Sequence, residues 1–248
     1  MTHTHPARRS TTALTVSSII LIILSIPALA YEVRGAIDGA TNSTVALAVG
    51  ASCVSALVGL VFLAWLARFT PSILSWIAAF AWGTGGALLI AGIGNGVTDA
   101  AMETSISDAQ TADVVTSVVT GPLIEETAKG IGALILILTA RKVLQRPAQG
   151  AVLGGLVGIG FAWGEDIGYY VSALDEGMGG LWESFLARAL LGAFGHAIFT
   201  GVFGFALCWA ILRAKNAFVG IAAGLGGFAG AVLLHAQANG VGFLAPED

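Results

Sequence analysis

Charged residues are scarce in this sequence: Asp, Glu, Lys and Arg make up only 10% of its 248 residues. A soluble domain carries about 25%, so a water-solvated globular surface is excluded. Cysteine is scarcer still. Cys53 and Cys208 are the whole complement, and both fall in apolar stretches. They resemble neither a disulfide framework nor a Cys-based metal motif and read as small apolar fillers. There is no basic run of the kind that binds nucleic acid. There is no linker or low-complexity segment, and the H-E-x-x-H zinc signature is missing.

What the chain does have is apolar length. It is 56% hydrophobic, with a mean hydropathy of +0.86. A membrane span needs about 20 apolar residues. Stretches that meet this lie at about 13–30, 44–67, 73–97, 115–140, 149–171, 185–212 and 217–240. The expectation is an all-α, polytopic membrane helix bundle of about seven spans, folded as one domain over residues 1–248. The first stretch also reads as a secretory signal, with a basic start, an apolar centre and an Ala-x-Ala-like end at Ala28–Ala30. Its apolar centre is long for a signal, which favours a retained helix.

Basic residues mark cytoplasmic loops. With the N-terminus inside, the inner segments hold Arg8, Arg9, Arg68, Arg141, Lys142, Arg146, Arg213 and Lys215, and the outer ones only Arg34. The outer loops are acidic, "TDAAMETSISDAQTAD" and "DEGMGGLWE", and no acid falls in an inner loop. The expected orientation is therefore N-in/C-out. Residues 98–114 read as a passive acidic connection, with a cap over a site as the alternative.

Four acids fall inside the spans: Glu125, Glu126, Glu165 and Asp166. An intramembrane charge costs roughly 2.5–3.5 kcal/mol and by default marks function. From a rise of about 1.5 Å per residue, Glu125, Glu126 and His196 lie roughly 15–20 Å below the outer face, and Glu165 roughly 10 Å. His235 and Asn239 belong to the outer half of the last span. Four helices thus bring Glu, Glu, His and His to overlapping depth, whereas His3 and His5 belong to the N-terminal segment. Each residue has a plainer reading: an interhelical hydrogen bond for a lone His, an ion pair for Glu125 and Lys129, an interfacial position for Asp166. Arg188 is shallow enough to snorkel or to pair with an acid. The glycines at 150, 154 and 158, and at 160, 164 and 168, form stripes suited to close helix packing.

A carboxylate beside a histidine can take a proton from water and return it to a leaving amine. Glu125 and Lys129, at i, i+4, share a face, so Lys129 is expected to pair with Glu125 and leave Glu126 as the freer base. Glu and His side chains also suit Zn²⁺, and on that reading Glu126, Glu165, His196 and His235 are the candidate ligands. The residues do not choose between the two mechanisms.

The set "EETAK", "GFAWGED", "GHAIFTG" and "HAQAN" resembles the PrsW family of intramembrane proteases, relatives of the type II CAAX prenyl endopeptidases and bacteriocin-processing proteins. The resemblance covers about residues 115–242. It rests on Glu125, Glu126 and Lys129; Phe161 and Glu165; His196; and His235 with Asn239, all in the family's order. The family often has Asn where this chain has Asp166. The resemblance implies a bacterial plasma-membrane peptidase with an embedded site and a single-span membrane substrate such as an anti-sigma factor. It leaves zinc an open matter. Two other classes fit intramembrane acids and histidines: a proton- or ion-coupled transporter and a noncatalytic scaffold for single-span proteins. The ordered motifs and the want of an obvious inverted repeat favour the peptidase.

Overall fold

A computed structural model describes residues 6–66 and 72–242. Arg68, His3, His5 and the C-terminal "APED" lie outside the described residues. The chain is a helical membrane bundle, with no strand among the described residues. Its elements are α1 (Pro6–Ala36), α2 (Asn42–Leu66), α3 (Ile73–Trp82), α4 (Leu88–Ser105), α5 (Ala109–Val115), α6 (Gly121–Ala140), α7 (Pro147–Ala173), α8 (Gly177–Ala187), α9 (Ala193–Arg213) and α10 (Ala217–Gly242). π-helical turns at Gly83–Ala87, Thr116–Thr120 and Arg188–Gly192 join α3 to α4, α5 to α6 and α8 to α9.

Five helical stretches are long and apolar enough to cross a membrane: Thr12–Ala36, Asn42–Ala64, Ile73–Ser105, Phe194–Arg213 and Ala217–Val241. Their outward faces carry large apolar side chains such as Ile23, Val61, Ile93 and Leu225, as a bilayer requires. The stretches expected at 115–140 and 149–171 are not among them. They form α6 and α7, which carry the acids and Lys129, and many of their residues are buried.

The 98–114 connection is shorter than its polarity suggests. α4 runs through Ser105 and α5 starts at Ala109, because Ala, Met and Glu sustain a helix in water. Asp108 caps α5, its carboxylate accepting from the Thr111 backbone N–H at 2.9 Å. At the other end of the bundle, Gln149 Oε1 accepts from the Gln145 and Arg146 backbone N–H groups at 2.6 and 3.0 Å. With Pro147 in the first turn, this starts α7 sharply.

α7 is the central helix, packed on α9, α2 and α3. Its glycines set the spacing. A Cβ at Gly154 would lie 2.3 Å from the Thr200 carbonyl oxygen, and one at Gly158 would lie 2.1 Å from that of His196. Only hydrogen at these positions lets α7 and α9 touch backbone to backbone. On the other face Tyr170 shares a hydrogen bond with Ser55 of α2 at 2.9 Å. Trp82 of α3 donates to the Ala128 carbonyl of α6 at 3.0 Å. α1 packs against α3 and α6, burying Leu14, Leu21 and Ala28.

Candidate active site

Lys129 lies at the centre of the polar cluster with no exposure to solvent. Its ammonium is 2.6 Å from Glu126 Oε1 and 3.5 Å from Glu125 Oε2. It is 2.9 Å from His196 Nδ1 and 4.2 Å from the centroid of the Phe161 ring. An ammonium has only donors, so His196 Nδ1 accepts and its Nε2 carries the proton. That Nε2 faces Glu165 Oε2 at 3.2 Å. Phe161 also packs against the His196 ring, with centroids 5.4 Å apart.

His235 of α10 closes the cluster. Its Nδ1 is 3.1 Å from Glu126 Oε1, and its Nε2 is 3.7 Å from Glu125 Oε2. Phe199 stacks on its ring at 4.9 Å. Glu165, Glu125, Glu126, Lys129, His196 and His235 therefore form one connected network from α6, α7, α9 and α10. Asn239 stands apart from these bonds. Its amide donates to the Ser117 carbonyl at 2.9 Å, tying α10 to the π-turn before α6.

A cavity of about 970 Å³ opens beside the network. Glu125, Glu165, Arg188, His196, His235 and Asn239 line it, and Asp99, Glu103 and Asp113 contribute to its wall. The 98–114 stretch is thus part of the site's wall and not the passive connection expected, because the continued helices fold it beside α6.

The two adjacent glutamates differ from expectation. Lys129 makes its closer contact with Glu126, not Glu125. Glu126 is 1% exposed and also accepts from the Thr200 hydroxyl at 2.9 Å. Glu125 lines the cavity and has longer contacts, with the Asn95 amide at 3.4 Å among them. The i, i+4 rule does not separate the two, since a lysine stem reaches i−3 as easily as i−4. Thr200 and His235, on other helices, decide it.

Asp166, for which the neighbouring tyrosines suggested an interfacial position, is fully buried within the bundle. Arg188 Nε donates to its Oδ1, so Arg188 pairs with acids and does not snorkel. Asn95, Thr200 and Phe199 were not singled out from the sequence. Thr200 could have been, since it lies one turn from His196 on the same face. Asn95 is a lone amide in an otherwise apolar run.

Metal-ligating chemistry fits part of this cluster. Glu125, His196 and His235 each offer one ligand atom, all within 4.8 Å of one another, and imidazole nitrogen with carboxylate oxygen suits zinc. The Glu126–His235 contact resembles the carboxylate support of a metal-binding imidazole. Both His196 nitrogens are engaged, so ligation there would displace Lys129 or Glu165. The trio contains Glu125 where Glu126 and Glu165 were expected: the oxygens of Glu126 turn toward Lys129 and Thr200, and Oε2 of Glu165 is held by Arg188.

A polytopic helical bundle with carboxylates, histidines and a lysine gathered beside a cavity defines a membrane protein with an embedded reaction centre. The chain belongs to the PrsW family of intramembrane metalloproteases, whose family model matches residues 71–246, and it is therefore a membrane peptidase. No curated protein and no solved structure matches the chain.

Proposed function

We propose that this peptidase cuts single-span membrane proteins on their extracytoplasmic side, with anti-sigma factors as the partner class, in a bacterial plasma membrane. The supporting observation is the position of Glu125: it lines the cavity and faces His235, while its neighbour Glu126 is enclosed by Lys129, His235 and Thr200. Glu125 takes the proton of the attacking water and passes it to the leaving amine. Glu126 orients His235, whose Nε2 faces Glu125 and relays the proton that Glu125 takes. Lys129 balances the two carboxylates. His196, whose Nε2–H faces Glu165 Oε2 at the cavity wall, shares that proton with the scissile carbonyl oxygen as negative charge develops there. Glu125, His196 and His235 are the residues that would hold a metal, which when bound lowers the pKa of water and polarises a carbonyl.

The orientation that supports this reading is N-in/C-out with seven crossings, which puts the cavity wall at Asp99, Glu103 and Asp113 outside. A cysteine introduced at Ser107 should react with an impermeant reagent added from outside. Labelling at Gln145 instead would invert the topology.

The function is tested with purified protein and a single-span anti-sigma factor in detergent, with and without a strong chelator. Glu125→Gln should slow cleavage by about 10²–10⁴-fold. Cleavage lost to the chelator and restored by zinc would favour metal assistance, and indifference would favour Glu–His catalysis. Equal cleavage by Glu125→Gln and wild type would remove the assignment. A protein that cuts no substrate but loses a proton-coupled flux on Glu125→Gln would be a transporter.

A further inference from the structure

Asp166 and Arg188 are buried or half-buried charges that the proposed reaction does not use. Asp166 is fully buried within α7, where an unpaired carboxylate would be costly. Arg188, on the π-turn before α9, meets that charge through Nε. The same guanidinium donates from Nη2 to Glu165 Oε2 at 2.6 Å, and its Cζ lies 3.7 Å from the Tyr169 ring centroid. Glu165 Oε2 is also the atom facing His196 Nε2 at 3.2 Å. One rigid fork therefore spans two successive carboxylates, one locked in the core and the other at the cavity. Because a guanidinium is planar, fixing Nε on Asp166 fixes where its Nη2 points.

We propose that Asp166 and Arg188 form a positioning device: Asp166 anchors Arg188, and Arg188 holds the Glu165 carboxylate against His196. Its effect on rate rests on the peptidase reading of the site. The alternative is that Arg188 merely neutralises Asp166. Removing both charges separates the two, because the double variant leaves no Asp166 charge to neutralise but still frees Glu165.

The experiment compares wild type, Arg188→Lys, Arg188→Gln and the double variant Asp166→Asn/Arg188→Gln. Two readouts are taken: steady-state cleavage of the single-span anti-sigma factor, and labelling of Glu165 by a water-soluble carbodiimide, followed by mass spectrometry. Glu165 is reachable, with 21% of its side chain exposed. Arg188→Gln should accumulate poorly and lower kcat by about 10–100-fold, the usual loss when a side chain that orients a site residue is removed, with little change in KM. The double variant should regain accumulation but not kcat. Arg188→Lys, which keeps the charge but not the fork, should also accumulate and remain slow. Glu165 labelling should rise in all three variants. Full kcat and wild-type labelling in the double variant would overturn the proposal, as would wild-type labelling in Arg188→Gln. If wild type cuts nothing, the peptidase reading fails, and the labelling alone still decides whether Arg188 holds Glu165.

Discussion

α7 and α10 look alike in sequence and do different work. Both are apolar and glycine-rich, with glycines four residues apart: 150, 154 and 158 in one, 220 and 224, then 226 and 230, in the other. Yet a Cβ at Gly154 or Gly158 would strike α9 backbone at 2.3 or 2.1 Å, whereas one at Gly226 would meet nothing within 4 Å. Only 11% of the apolar window of α10 is buried, while most of α7 is enclosed. A stripe of small residues thus permits close packing without demanding it. α7 spends its stripe on reaching α9, which sets Glu165 opposite His196. α10 comes close to α9 at Gly227, where a Cβ would lie 2.2 Å from Ala206 Cβ, brings one imidazole into the cluster, and leaves most of its surface exposed.

The contrast can be broken at its chemical end first. His235→Asn removes the group that α10 supplies. Cleavage should fall by about 10²–10⁴-fold, while the melting temperature in detergent should change little compared with any α7 variant. A large loss of stability would mean that α10 is structural after all.

Next is Lys129→Met, which strands two carboxylates between the helices. Removing one partner from a buried ionic cluster costs about 3–5 kcal/mol, so the variant should accumulate poorly and melt early. Replacing Glu125, Glu126 and Lys129 together with Gln, Gln and Met should recover much of that stability but no activity. Failure to recover would show that Lys129 acts through more than charge balance.

Smaller effects sharpen the comparison between the glycines. Gly154→Ala should destabilise by about 1–3 kcal/mol, as overpacking does, and should slow cleavage by pushing α7 from α9. Gly226→Ala, in open space within a helix, should instead stabilise by about 0.4–1 kcal/mol. Melting curves of the pair decide it, and equal shifts of one sign would mean that the two positions pack alike.

The smallest effect belongs to Asp108, the N-cap of α5. Its hydrogen bonds to the hydroxyl and backbone N–H of Thr111 lower its pKa below the ordinary value of 3.8. A depressed carboxylate pKa means that the folded state binds the proton less well than the unfolded one. The cap therefore contributes above the unfolded pKa and is lost as pH falls through the folded value. Asp108→Ala should lower the melting temperature slightly at neutral pH, and the gap from wild type should close in strong acid. Such a gap at neutral pH alone is the signature of the cap.

Much of this was legible in the residues, and the reasons are physical. Intramembrane charge is expensive enough to be conspicuous, so Glu125, Glu126, Lys129, Glu165, His196 and His235 stood out against an apolar background. Span length and loop charge likewise outlined a helical membrane bundle. The residues that went unnoticed are polar groups too ordinary to stand out: Asn95, which reaches Glu125 from α4, and Thr200, which holds Glu126 from α9. The π-turns left no mark either. Each inserts an extra residue into an otherwise unbroken helix, and two of them border the cavity.

By itself, then, the sequence determined that the chain is a helical membrane protein with acids and histidines inside four separate apolar stretches, because both follow from composition and from the length of the apolar runs around those residues. Only the tertiary structure decided which glutamate faces the cavity, that Asp166 is anchored by Arg188, and which glycine stripe carries contact. Those outcomes depend on side chains from helices distant in sequence, and a choice between neighbours such as Glu125 and Glu126 is made by what stands across from them.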